Sequence, residues 1–342
     1  MRTGLLASCL FAVSLLDAQV SPYTEVPVSP PDSTGAYRLL IGGHFHGASS
    51  NRSGFPAATL LANLDTINAI DANVLLSTGD LFLIPDRDSA RYARSLFSEL
   101  KVALFNAPGN HDLEGKAYHR GAEMPVSISM GPDRILLVDT ERNNSDIRGD
   151  QLEALEELAT AAEGGGLRRV FIVSHRPIWS EEEPRYGDLF KNNTRSTSGC
   201  NYSKEVLPVL RRIAAHAEVF WISGSMAGRA PASIFFQPHE KNITYIQSAI
   251  RDELRDALLI ADVDTEGVTW STLSLTGLPM EPVEKYDADW WKAKQGEVPP
   301  FRWKLLPYLV KKNLSYPSFW YGFVIALCPL LLVGLVRRWG KR

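Results

Sequence analysis

One pattern constrains this chain more than any other. From residue 37 onward, short apolar runs rich in Val, Ile, Leu or Phe end abruptly in polar, Gly-containing turns. The runs Arg38 to Gly43, Asn73 to Thr78, Val102 to Ala107, Arg169 to Ser174 and Glu218 to Ser223 read as strands buried on both faces. Helical spacing fills the intervals: Leu60, Leu64 and Ile67; Tyr92, Leu96 and Leu100; Leu152, Leu155 and Leu158; Val206, Leu210 and Ile213. Strand and helix in alternation predict an α/β fold with functional groups at the carboxyl ends of the strands. Two further stretches look antiparallel. Val126, Ile128 and Met130 alternate before the Gly131-Pro132-Asp133 turn and the run Arg134 to Val138, and Asn242 to Leu275 reads as three more strands, so a second sheet is expected.

The strand tips carry His44-Phe45-His46, Gly79-Asp80, Gly109-Asn110-His111-Asp112, His175 and Gly224-Ser225-Met226-Ala227. An α/β sheet brings such tips together. Taken singly, a His is more often a satisfied structural group and Gly-Asp a common turn. Together, the imidazoles, a carboxylate and an amide oxygen make an N/O ligand set suited to zinc, iron or manganese.

These residues resemble the motifs of the calcineurin-like metallophosphoesterase superfamily, the group that includes purple acid phosphatases: Asp-x-His, Gly-Asp, Gly-Asn-His-Asp, a lone His and Gly-His-x-His, each after a strand. Gly109-Asn110-His111-Asp112 is the specific match. The resemblance covers about residues 37 to 275 and implies a sandwich of two mixed β-sheets flanked by helices. By position it implies that His46 binds a first metal, Asp80 bridges two, and Asn110 and His175 bind the second. His111 would contact the phosphate and protonate the leaving oxygen, with Asp112 orienting that ring. Two divalent ions so held would polarise the phosphoryl oxygens and neutralise charge on the attacking and leaving groups.

The chain departs from the pattern where His44 replaces the first Asp and where Ser225 and Ala227 replace the last two His. Ala227 offers no donor at all, and a hydroxyl is a poor substitute for imidazole. With His44 recruited, the first metal would see His44, His46 and Asp80 and the second Asp80, Asn110 and His175, three protein ligands each. The missing ligands leave one ion as the alternative to two. Two functions follow: an extracytoplasmic phosphoesterase hydrolysing phosphate mono- or diesters, or a catalytically silent member serving as a binding or scaffolding ectodomain.

The two ends concern location. Met1, Arg2 and Thr3 precede an uncharged run from Leu5 to Leu16 with small Ala18 after it, a signal-peptide pattern too short to span a bilayer. Phe319 to Val336 is uncharged, with Trp320 and Tyr321 at its outer edge and Arg337, Arg338, Lys341 and Arg342 beyond it, which reads as a transmembrane helix ending in the cytoplasm. The expected layout is a signal peptide over 1–18, a linker over 19–36, the phosphoesterase-like domain over 37–275, a juxtamembrane linker over 276–317, a membrane helix over 318–336 and a tail over 337–342. That is a type I membrane protein with its bulk extracellular or luminal, or periplasmic in a bacterium. Six Asn-x-Ser/Thr acceptors, at Asn51, Asn143, Asn192, Asn201, Asn242 and Asn313, suggest a glycoprotein. The polar insert from Ser180 to Ser203, after His175, reads as a substrate-facing or surface loop. Of three cysteines only Cys200 lies in the body, so no internal disulfide framework forms there. A net charge of -3 without a basic stripe argues against nucleic acid as a partner.

Overall fold

The computed structural model describes residues 19–114, 123–190, 199–225 and 234–294, with 306, 307, 310, 314, 317 and 319–326 of the C-terminal stretch. A five-stranded sheet has the order β11-β10-β1-β2-β3 and a six-stranded sheet the order β4-β5-β6-β7-β9-β8. In the first, β1 (Tyr37–Gly42), β2 (Val74–Ser77) and β3 (Leu104–Asn106) are parallel, and β10 (Ala257–Val263) and β11 (Val268–Ser274) add an antiparallel edge. In the second, β5 (Asp133–Leu137), β6 (Arg169–Val173), β7 (Glu218–Ser223) and β9 (Ile243–Ser248) run parallel. Their antiparallel edges are β4 (Val126–Met130) and β8 (Ile234–Glu240).

The expected strands all form, and their burial explains why. Every residue of β2, β3 and β6 is buried, because both faces of these parallel strands are covered. Strand β4, at an edge, alternates buried and exposed residues. Leu39, Ile41, Val74, Leu76 and Phe105 look into the core between the sheets. Leu40, Leu75, Leu104 and Leu258, on the opposite face, pack with Leu60 of α1 (Ala58–Leu61), Ile67 of α2 (Leu64–Ala69) and Tyr92 of α3 (Pro85–Tyr92). Helices α4 (Asp150–Glu163) and α5 (Leu207–Ala214) contribute Leu155, Leu158, Leu210 and Ile213 to the larger core. The sheets join through the Tyr37 hydroxyl, which donates to Asp133 at 2.7 Å, and through Trp270 of β11, which packs on Phe220 of β7 and Phe236 of β8.

Strand β8 escapes the sequence pattern. It carries Pro238 and a register shift beside it, both tolerable only because β8 is an edge. Of the two segments read as linkers, 19–36 and the part of the second described up to residue 294 are packed against the domain. Ser21 donates to the Leu104 carbonyl and Thr24 to that of Val102, while Val28 is buried, so 19–36 straps the β3 edge. At the other end, the Trp291 indole of α6 (Ala288–Lys294) donates to the Ile234 carbonyl at 2.7 Å, and Val283, Tyr286 and Ala288 are buried. The reason is β8, whose exposed edge a linker-like, aromatic-rich sequence covers. The insert after His175 is likewise less polar in space than in sequence: Tyr186, Leu189 and Phe190 are buried around Trp179. Residues 191–198 lie outside the described residues.

Residues 1–18, and 327–336 of the apolar C-terminal stretch, also lie outside them. Among the described residues, no helix is long and apolar enough to cross a membrane. Residues 319–326 are helical, with Phe319, Trp320, Tyr321, Phe323, Val324 and Ile325 exposed.

Candidate metal centre

Parallel β1, β2 and β3, and parallel β6 and β7, end on the same side of the sandwich, so the loops that follow them meet. His44 comes two residues after β1, Asp80 three after β2, His111 five after β3, and His175 two after β6. Asp80 is the centre of the cluster. Its Oδ1 accepts the His111 backbone N–H at 3.0 Å, which leaves Oδ2 to face the imidazoles. Nε2 of His44, His175 and His46 lie 3.2, 3.5 and 3.8 Å from that single oxygen.

The tips approach closely enough to demand glycine. A Cβ on Gly79 would sit 2.4 Å from His175 Nδ1, and one on Gly109 would sit 2.1 Å from Asp80 Oδ1. Backbone strain marks the same place. His44 and Asp80 both hold left-handed backbone, with φ of 54° and 56°, a conformation that non-glycine residues adopt mainly where surroundings enforce it. The His44 N–H donates to the Gly79 carbonyl at 2.8 Å and so locks the first tip to the second.

Protonation follows from the hydrogen bonds. His175 Nδ1 lies 2.9 Å from the Thr78 carbonyl and His111 Nδ1 lies 3.2 Å from that of Leu83. A carbonyl only accepts, so each Nδ1 carries the proton and, in the neutral ring, each Nε2 presents a lone pair. Burial pushes the His44 imidazole well below its ordinary value, against the opposing pull of Asp80. Burial also works to raise Asp80, but the His175, His44 and His46 imidazoles outweigh it and hold that carboxyl well below the usual range. The result is an ionised carboxylate facing buried ring nitrogens without hydrogen-bond partners: His44 Nε2, His46 Nε2 and His175 Nε2. The 3.2 Å approach of His44 to Asp80 lacks hydrogen-bond geometry. A cation among these ring nitrogens and the carboxylate oxygen would satisfy all of them. The residues therefore fit a metal ion.

The ligand atoms fall into two sets that share Asp80, namely His44, Asp80 and His175, and His46, Asp80 and His111. His44 and His175 are stacked with centroids 5.6 Å apart, and His46 and His111 meet edge to face at 5.4 Å. This grouping differs from the one carried over by motif order, which paired His44 with His46. His44 and His46, alternate residues of one tip, keep their ring centroids 4.9 Å apart, and both face Asp80 Oδ2. Asn110 lies in the same turn, half-buried between Gly109 and His111. Ser225 is buried, and its N–H donates to the His175 carbonyl at 2.7 Å. Ala227 lies outside the described residues.

Asp112 plays a different part from the one expected of it. Its carboxylate accepts the N–H groups of Asp80, Gly109 and Phe82 and the Asn106 amide, at 2.8, 3.0, 3.2 and 2.9 Å. It ties the β2 and β3 tips together, and the Leu83 carbonyl, not Asp112, holds the His111 ring. Burial, then the charge of Asp80, raises its carboxyl to about 6 despite those donors. Sequence reasoning missed Thr78, whose carbonyl fixes the His175 tautomer and whose hydroxyl donates to the Ser248 carbonyl at 2.8 Å. Its place between β2 and Gly79 is the only signal it gives.

Two of the six glycosylation acceptors are unsuitable in this fold. Asn51 and Asn201 are buried, and their amide nitrogens donate to the carbonyls of His46 and Ile147, each at 2.8 Å. Asn143 and Asn242 are exposed, and Asn192 and Asn313 lie outside the described residues.

No family model and no curated protein matches the sequence. Among solved structures, the chain is similar to a dimetal phosphatase from Danio rerio at 14% identity, with a TM-score of 0.49, over 70% of this chain and 99% of that one. It is also similar to a cold-active protein-tyrosine phosphatase of a psychrophilic Shewanella species at 10% identity, with a TM-score of 0.31, over 74% of this chain and 86% of that one. The reading of the site rests on the chain's own tips and their convergence on Asp80.

Proposed function

We propose that this chain is a membrane-anchored, extracytoplasmic metallophosphoesterase-like protein that hydrolyses phosphate mono- or diesters. The observation that carries the reading is the set of buried, partnerless imidazole nitrogens turned toward one ionised carboxylate. His44, Asp80 and His175 would hold one divalent ion, and His46 and Asp80 a second, with Asn110 a further candidate ligand and His111 kept for the substrate. Zinc, iron and manganese suit these donors. When bound, such ions supply Lewis-acid stabilisation of charge on a phosphoryl group.

The chain's own residues do the rest. Asp80 is held ionised and fixed through Oδ1, so it keeps both sets in register. His111, with a quarter of its side chain exposed, is the one imidazole of the cluster open to a ligand, and its Nδ1 proton is already committed to Leu83. Its Nε2 can therefore hold a proton and deliver it to a leaving alkoxide. Buried His44, His46 and His175 cannot reach substrate in this way. The anchor and placement are supported by the signal-like start, the basic C-terminal flank and the exposed apolar side chains of helix 319–326.

Elemental analysis of the purified full chain, paired with hydrolysis of aryl phosphate and phosphodiester substrates, tests the proposal. Bound metal with His111-dependent hydrolysis is the expected result. Protein expressed with zinc, manganese and iron present that contains none of them would overturn it. Bound metal without hydrolysis favours the silent ectodomain, a reading kept open by Ser225 and Ala227.

A further inference from the structure

Among the described residues from 19 to 294, the large apolar side chains left exposed are Val20, Phe55, Ile84 and Leu113. Isolated exposed apolar residues are ordinary on a protein surface. Here three of the four sit on the loops that carry His46, Asp80 and His111, at 44%, 36% and 41% exposure. Each shares a loop with a residue of the centre. The Asn51 amide donates to the carbonyls of both His46 and Phe55, at 2.8 and 2.9 Å. Leu83, which holds the His111 ring, is the neighbour of Ile84, and Leu113 follows His111 by two residues. Helix α3 joins the parts, since it starts directly after Ile84 and its Arg91 guanidinium lies 5.3 Å over the Phe55 ring.

We infer that this rim receives an apolar group of the substrate, so that the centre takes phosphate monoesters of long-chain alcohols. The inference rests on the phosphoesterase reading and adds the class of alcohol to it. Ile84 and Leu113 are aliphatic and offer neither a stacking face nor a hydrogen bond to a base or sugar, and Arg91 covers one face of Phe55. A flexible alkyl chain fits such a surface better than a nucleoside does. In the hydrolysis, an oxygen of water forms the new bond to phosphorus and the ester P–O bond breaks. The alcohol leaves with a proton delivered at His111, and inorganic phosphate is released.

The test uses the full chain in phosphatidylcholine nanodiscs with manganese. Hydrolysis of n-alkyl phosphates from ethyl to decyl, kept below their micelle concentrations, is compared with binding of the matching alkylphosphonates. A fully buried methylene is worth about fourfold, so kcat/KM and affinity should climb about twofold per carbon on this half-open rim until it is filled. Phe55→Ser, Ile84→Ser and Leu113→Ser should each lower the decyl-to-ethyl ratio at least about threefold, a ratio in which a general loss of activity cancels. Hydrolysis with a flat chain-length profile overturns the inference while leaving the phosphoesterase reading standing, and so does a slope that survives all three substitutions. Phosphonate affinity that climbs without any hydrolysis keeps the class of ligand and overturns the reaction. Neither binding nor hydrolysis overturns both. Phosphate released from phosphatidate built into the nanodisc identifies a bilayer lipid as the source, and release from the soluble esters alone identifies a free amphiphile.

Discussion

The two ligand sets that share Asp80 are built differently. The His44 and His175 rings are stacked and buried, with His175 clamped between the Thr78 carbonyl and the Gly79 backbone. The His46 and His111 pair meets edge to face, and one of its rings reaches solvent. A buried, pre-oriented pair can retain an ion, because little has to be ordered or desolvated when it binds. A pair open on one side can give up a position to a ligand. In the proposed function, holding and reacting would be divided across a single carboxylate.

Asp80→Asn should have the largest effect, since it keeps the shape and removes the only charge common to both sets. Bound metal, read by elemental analysis, should fall to background, and retention of either ion would break the division. Next, His175→Ala and His111→Ala should separate the two roles. The first should lower metal affinity by more than the 10- to 100-fold typical of losing an outer partner. The second should leave the His44/His175 ion in place and lower the rate about 10²- to 10⁴-fold, the usual worth of a general acid. Equal metal loss in both variants would show that the pairs act as one site.

A smaller effect is expected where the two tips are joined. Asp112→Ala leaves the N–H groups of Asp80, Gly109 and Phe82 and the Asn106 amide without their acceptor, which should cost about 3–5 kcal/mol in denaturant unfolding. A loss under about 1 kcal/mol would mean that the β2 and β3 tips do not depend on it. The least direct test lies beneath the His46 loop. Burial, then nearby Asp252, raises the Asp256 carboxyl to about 7, while the Arg251 N–H and the Thr59 hydroxyl donate to it. The folded protein thus holds a proton that the unfolded chain has released, and stability falls as pH rises from about 4 to about 7. Asp256→Asn should flatten that fall, by on the order of 3–4 kcal/mol above pH 7 and by little below pH 4, without changing metal bound at His44/His175. An unchanged pH profile of thermal unfolding would refute the assignment.

Much of this was legible in the residues. Strands β1, β2, β3, β6 and β7 announce themselves as apolar runs, and the polar tips name His44, His46, Asp80, His111 and His175 as neighbours before any coordinates. Edge strand β8 was not legible, because Pro238 and the polar residues of its second half break the apolar run. The strap over 19–36 and the aromatic cover around Trp291 were not legible either. Proline-rich and polar composition looks the same in a linker as in a segment pinned by a few hydrogen bonds. The buried acceptors at Asn51 and Asn201 make the same point, since a three-residue motif carries no information about exposure.

What the sequence determined by itself is the list of groups and the end of the sheet at which they lie, because both follow from local periodicity and from parallel strands sharing a direction. Only the tertiary structure decided how those groups pair. Whether His44 joins His46 or His175, whether Asp112 serves the His111 ring or the backbone of its neighbours, and which imidazole meets solvent all depend on approaches of 2 to 4 Å between loops far apart in the chain. Those approaches are set by a left-handed turn at His44 and at Asp80 and by glycine at 79 and 109. No pattern read along the chain reports a contact made across it.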